Sequence, residues 1–263
     1  MSGQGTLPSA TLAAPPDGQA AGAYSPEYYR ERQHCPFLRI EVAQALRLVD
    51  PHPGRRLLEL GCGAGTLLAA AAARGTQAVG IDVNRGALRL ASEAAGVLLA
   101  SAERLPFPEE RFDAVVAQHL IEHFSAPGPL LQEWRRVLVP GGRLVLVTPN
   151  DRYPDPSVYF DPDHKLIFSR RLLRQALVTA GFQVERCYTI FPYLGSQRLR
   201  PLARRLPWLR RLPWFGERGA AIIVRARKAR DARSAAIPAH EGRWAPGDRR
   251  ALVTAAPRKG GTQ

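Results

Sequence analysis

The chain has 263 residues, 45% of them hydrophobic, enough to bury a full core, so one principal domain is expected. Its formal net charge of +14 and pI near 10.7 imply attraction to phosphate, anionic lipid or other acidic partners that salt would screen. Three cysteines without paired spacing argue against a disulfide framework or a cysteine zinc site. Without a secretory leader pattern or an apolar run of about 18 residues, the expected location is cytoplasmic.

Residues 1–23, mostly Ala, Gly, Pro and Ser, read as a disordered leader; residues 228–263 read as a disordered basic tail. The domain between them, 24–227, begins with a helix at 37–49 placed to cover the mouth of a ligand site. Short apolar runs bounded by turn residues then predict strands at 56–60, 78–82, 97–100, 112–117 and 143–148. Helical patterns at 66–73, 85–94 and 128–138 fill the gaps. A helix at 170–180 ends at Gly181, which suits a left-handed cap, and strands at 182–190 and 220–226 follow. The alternation predicts an α/β fold: a doubly wound, Rossmann-like, seven-stranded, mostly parallel sheet with helices on both faces. Its ligand crevice lies at the carboxyl ends of the strands.

The first strand runs through Glu59-Leu60-Gly61-Cys62-Gly63-Ala64-Gly65 straight into a helix. Glycines there let the backbone turn sharply and approach a ligand, beside the free amides of a helix N-terminus; a tight turn with no ligand is the plainer alternative. Asp82 closes the second strand about 20 residues on, where a carboxylate can accept the ribose hydroxyls of a nucleoside. Glu59 in the approach to the loop suits a cationic, amine-bearing ligand better than a pyrophosphate. The G-x-G-x-G spacing also departs from the G-x-G-x-x-G of dinucleotide sites.

Further along come Ser101-Ala102-Glu103-Arg104-Leu105-Pro106-Phe107, then Phe112-Asp113, then Pro140-Gly141-Gly142 before the fifth strand. In this order the motifs resemble those of class I S-adenosylmethionine-dependent methyltransferases, over roughly residues 37–190. The resemblance implies S-adenosylmethionine as cofactor. Glu59, Gly61, Gly63 and Gly65 would hold the methionine moiety and Asp82 the ribose, while Ser101, Ala102 and Glu103 would border the adenine. Gln118, at the end of the fourth strand, completes the expected cofactor set. Many relatives carry aspartate where Ser101 stands.

Gln118-His119-Leu120-Ile121-Glu122-His123 follows the fourth strand. As H-x-x-E-H it is also the pattern of inverted zinc peptidases, but no third ligand is evident. It resembles the E-x-x-E-H segment that lines the acceptor pocket in class I methyltransferases, and that members acting on quinone-ring hydroxyls can use to bind a divalent metal. With His119 in place of the first acid, no metal is expected. His119, His123 and His164 are the candidate catalytic residues. His164 lies in a polar loop, flanked by Asp161 and Asp163, and imidazole can take a hydroxyl proton near neutral pH. No N/D-P-P-Y/F run and no Pro-Cys nucleophile is present, which disfavours nucleic-acid bases as acceptors. The expected activity is O-methylation of a small-molecule, quinone, sugar or lipid-linked acceptor. A non-catalytic cofactor-binding or membrane-surface protein is the alternative, and an NAD(P)-dependent oxidoreductase stands behind it.

Residues 196–218 interleave seven arginines with Leu, Trp and Phe, a composition suited to an anionic membrane surface, and prolines at 201, 207 and 213 forbid one long helix. The expected partners are therefore the acceptor and an anionic membrane reached through 196–218, at the inner face of a membrane. A substrate lid or packing element is the competing reading, and nucleic acid is not an expected partner.

Overall fold

The computed structural model describes residues 25–91, 95–154, 161, 163–192, 194, 205, 206, 208, 212 and 216–229. Two helices lead, α1 (Pro26–His34) and α2 (Pro36–Val49), each with proline in its first turn, where an amide has no intrahelical partner to lose. Ser25 caps α1 by accepting the Tyr28 amide. The rest alternates: β1 (Arg56–Leu60), α3 (Thr66–Ala72), β2 (Gln77–Asp82), α4 (Arg85–Leu88), β3 (Gly96–Leu99) and β4 (Phe112–Gln118). After a 3-10 turn at Ile121–His123 come α5 (Pro127–Val137), β5 (Leu138–Pro149), α6 (Arg170–Thr179), β6 (Phe182–Pro192) and β7 (Gly219–Lys228).

The strands form one seven-stranded sheet in the order β3-β2-β1-β4-β5-β7-β6. Pairing from β3 to β5 is parallel, while β7 runs antiparallel to both β5 and β6, so the sheet is mostly parallel with one reversed strand. The order reverses between β1 and β4, and connections leaving these strands diverge to opposite sides, opening a crevice at their carboxyl ends. Alternation of side chains divides the core. Leu58, Leu60, Val115, Leu144 and Ile222 pack with Leu131, Trp134, Leu173 and Leu177 of α5 and α6. Leu57, Val116, Val145 and Ile223 pack with Val42, Ala45, Leu67 and Leu68 of α2 and α3.

Several expectations need correction. Helix α1 lies in a stretch for which the sequence predicted no element. The helix expected at 85–94 ends at Leu88, because the amides of Leu90 and Ala91 bond carbonyls three residues back, tightening the chain out of α-geometry. Pro140-Gly141-Gly142 lies inside β5 and not before it. The register against β4 shifts between Phe112 and Ala114, and a Cβ at Gly142 would meet the Val139 carbonyl oxygen at 2.8 Å, so this irregular stretch requires glycine. Lys228, assigned to the tail, belongs to β7. The proposed leader and residues 230–263 lie outside the described residues, as does most of 196–218.

Candidate cofactor and acceptor site

A cleft of about 590 Å³ opens at the carboxyl ends of β1, β2 and β4, roofed by α1 and α2. On its floor, Asp82 ends β2 with both carboxylate oxygens held: Oδ2 accepts the Gly63 amide and Oδ1 the Asn84 amide, each at 2.8 Å. Burial raises the Asp82 pKa and these amides oppose the rise. Each oxygen keeps a further lone pair for a ribose hydroxyl. Replacing Asp82 with alanine is expected to weaken binding of S-adenosylmethionine about 5- to 150-fold, the equivalent of about 1 to 3 kcal/mol, measured by titration calorimetry. Unchanged affinity would remove the ribose role.

Gly63 takes φ +52°, and a Cβ there would lie 3.0 Å from the Tyr29 ring, so the loop needs glycine both for its backbone and for the close approach of α1. Glu59 is buried with its Oε2 lacking a partner, and burial, reinforced by Asp82, pushes its pKa up to about 8. The Gln118 side-chain amide is likewise buried with no partner for its Nε2. Both residues line the cleft. An orphaned carboxylate costs free energy that a bound cation would recover.

Of the expected cofactor set, Glu59, Gly61, Gly63, Asp82, Ala102 and Gln118 line the cleft, and Gly65, Ser101 and Glu103 do not. Gly65 serves as the left-handed N-cap of α3. Ser101 turns inward and accepts the Glu103 amide at 3.2 Å, leaving the Glu103 side chain exposed. Ala102 is held at the wall by the Trp134 indole, which donates to its carbonyl at 3.0 Å. Asp113 lies at the opposite end of β4, where both its carboxylate oxygens accept from Arg56, and it serves the sheet rather than the cleft.

The acceptor side carries the three histidines in different roles. His119, in the left-handed region at φ 52°, has Nε2 at 2.9 Å from Glu41 Oε2 and Nδ1 at 3.5 Å from Glu122 Oε1. Burial by itself would lower its pKa, but Glu41 and Glu122 override burial and raise it to about 9. A charged imidazole has no lone pair with which to accept a proton, so the geometry makes His119, one of the expected catalytic residues, a clamp between α2 and the turn after β4. Glu122 is fully buried; despite that burial, His119 holds its carboxyl below the usual range, and its Oε2 accepts the Thr148 hydroxyl at 2.9 Å. Its carbonyl accepts the amides of Lys165 and Leu166. That bond pair brings His164 beside His123, ring centroids 5.0 Å apart at 70°. Ligand atoms of Glu122, His123 and His164 lie within 4.8 Å of one another, close enough for a single cation to span, a grouping the sequence did not suggest because His164 is remote in the chain.

Sequence reasoning missed the contribution of α1 and of Glu41. Tyr29, Arg32 and Gln33 line the cleft from α1, and Gln33 donates to the Ala64 carbonyl at 3.3 Å. The signal was present as Ser25-Pro26-Glu27, an N-cap followed by proline and an acid in the first turn.

Residues 58–146 match the family model described as a methyltransferase domain, a span that runs from β1 into β5 and carries the glycine loop, Asp82 and the histidine turn. Residues 58–146 thus carry a methyltransferase domain, and its relatives support the class I S-adenosylmethionine-dependent superfamily. Its likeness to a ubiquinone biosynthesis O-methyltransferase of Alkalilimnicola ehrlichii is 34% identity over 122 residues, 43% of this chain and 48% of the relative. To a demethylmenaquinone methyltransferase of Clavibacter sepedonicus it is 40% over 106 residues, 38% of this chain and 43% of the relative. The chain thus spans about half the length of these curated relatives. A solved S-adenosylmethionine-dependent methyltransferase of Archaeoglobus fulgidus shares the fold, with TM-score 0.57 and 21% identity over 72% of this chain and 94% of that one. These matches imply S-adenosylmethionine as the methyl donor, and the residues fit it: the unpartnered Glu59 oxygen suits its ammonium group and Asp82 its ribose.

Proposed function

We propose that the chain methylates an oxygen of a small-molecule acceptor, with a phenolic or quinone-ring hydroxyl as the first choice. The observation that carries this reading is the His123 and His164 pair on the acceptor side, facing walls that include Phe37, Leu120, Phe124 and Phe191. Apolar walls suit a flat ring and exclude water, and a paired imidazole supplies the base. Bound S-adenosylmethionine supplies a methyl group on a positively charged sulfur. Held by Glu59 and Asp82, it would give up that methyl to the acceptor oxygen and leave as a neutral thioether, while His164 would take the hydroxyl proton. His123 supports the His164 ring, while Glu122 fixes the loop that carries it. Similarity to the ubiquinone and demethylmenaquinone enzymes supports a ring acceptor.

The test is product mass after incubation with a panel of catechols, hydroquinones, sugars and lipids. His164→Ala is expected to lower kcat about 100- to 10,000-fold with cofactor affinity unchanged. Loss of activity on chelation, restored by added divalent metal, would replace the base by a cation held among Glu122, His123 and His164. For the hydrophobic members of the panel, delivery from a membrane surface through 196–218 forms part of the proposal. Among its described residues, Trp208 and Leu212 are exposed at 55% and 44%. Salt-sensitive sedimentation with anionic vesicles supports this, and no difference from neutral vesicles rejects it. No helix among the described residues is long and apolar enough to cross a membrane.

A further inference from the structure

S-adenosylmethionine ends in an amino acid, so a site that meets its ammonium group with Glu59 must also receive a carboxylate within a bond or two of that ammonium. Glu59 and Asp82 together would repel it. A cation near the glycine loop would offset that repulsion. Among the described residues lining the cleft, the cationic side chains are Arg32, Lys165 and those of the histidines. His119 is engaged by Glu41 and Glu122, His123 and His164 pack ring against ring, and the Lys165 backbone is anchored to the Glu122 carbonyl after β4 rather than to the glycine loop.

Arg32 belongs to a helix docked on the loop. Its helical neighbours Tyr29 and Gln33 reach Gly63 and the Ala64 carbonyl, respectively. The Arg32 guanidinium is half-buried, and Nη1 donates to the Tyr28 hydroxyl at 2.8 Å, with the charge 5.8 Å from the Tyr28 ring centroid. No carboxylate lies within ion-pair distance of it among the described residues; Glu41 and Glu122 act on its charge from farther off, whereas Arg56 holds Asp113 at 2.9 Å and Arg136 holds Glu133 at 2.8 Å. Tyr28 uses one of five N–H donors, and the planar fork that matches a carboxylate remains.

We propose that Arg32, aimed by Tyr28, binds the carboxylate of the methionine moiety and that this contact seats α1 over the cofactor. Arg32 is a cofactor-binding residue on this reading, and α1 is a wall of the cofactor site rather than a leader to the domain. The inference rests on S-adenosylmethionine as donor and not on the identity of the acceptor.

Titration calorimetry on the full chain tests it with S-adenosylmethionine and its decarboxylated analogue. Arg32→Gln is expected to weaken the intact cofactor about 10-fold or more and leave the analogue within about 2-fold, so that the preference for the carboxylate disappears. Arg32→Lys, which keeps the charge but not the fork, should recover part of the loss. Thermal melting of the unliganded variants separates a binding loss from a folding loss. Equal weakening of both ligands overturns the proposal, as does unchanged affinity for S-adenosylmethionine. A variant that binds the cofactor normally but shows a raised KM for a carboxylate-bearing acceptor also overturns it, and moves Arg32 to the acceptor.

Discussion

Glu59→Gln is expected to stabilise the unliganded protein and to weaken S-adenosylmethionine binding in the same variant. Burial raises the folded-state pKa of this acid from 4.5 to about 8. For an acid with a raised folded pKa, the unfolded chain ionises first, so stability falls as pH rises above 4.5 and stops falling above about 8. At pH 7 the variant should therefore gain about 1 to 3 kcal/mol in urea unfolding, with the gain vanishing near pH 4. A gain independent of pH would show that Glu59 is not protonated in the fold.

Binding reverses the sign. A cationic ammonium group beside Glu59 restores its ordinary acidity, so cofactor binding near pH 7 should release about one proton, read as a buffer-dependent calorimetric enthalpy. Glu59→Gln should abolish that release and lower affinity about 10- to 100-fold. The site thus keeps a destabilising group because its ligand relieves it.

The cofactor half of the site was legible because its residues follow one another at strand ends. Glu59 to Gly63, Asp82 and Gln118 each lie where a buried parallel strand stops, and strand alternation alone places those ends on one edge of the sheet. Ser101 and Glu103 do not line the cleft, because a motif gives order but not direction: a local turn leaves Ser101 buried and Glu103 exposed. The acceptor half depends on contacts distant in sequence. Glu41 of α2 meets His119 after β4, and the Glu122 carbonyl draws in the loop of His164. No local pattern encodes those pairings, so the sequence does not reveal that Glu41 meets His119. Helix α1 was hidden by its exposed, polar sequence, since a cap and a proline mark where a helix begins without saying what it covers.

That pairing makes His119→Gln the most damaging substitution expected for the fold itself. Removing the imidazolium leaves Glu41 and Glu122 facing each other in buried positions, and breaking a buried ion pair from one side costs about 3 to 5 kcal/mol. The sign with pH follows from the raised pKa of His119, from 6.5 to about 9. A base whose folded pKa is raised contributes fully below its unfolded value and loses that contribution as pH climbs through the folded one. The advantage of the wild type over His119→Gln, taken from chemical unfolding at pH 6, 8 and 10, should therefore be largest at pH 6 and shrink markedly by pH 10. A constant advantage would mean a neutral imidazole that only donates and accepts hydrogen bonds. In His119→Gln with Glu122→Gln added, one of the two opposed charges is gone, so the double variant should be more stable than the single one. Its His164 loop keeps the backbone bonds to the carbonyl of residue 122, so any loss of activity there reports on charge and not on loop position.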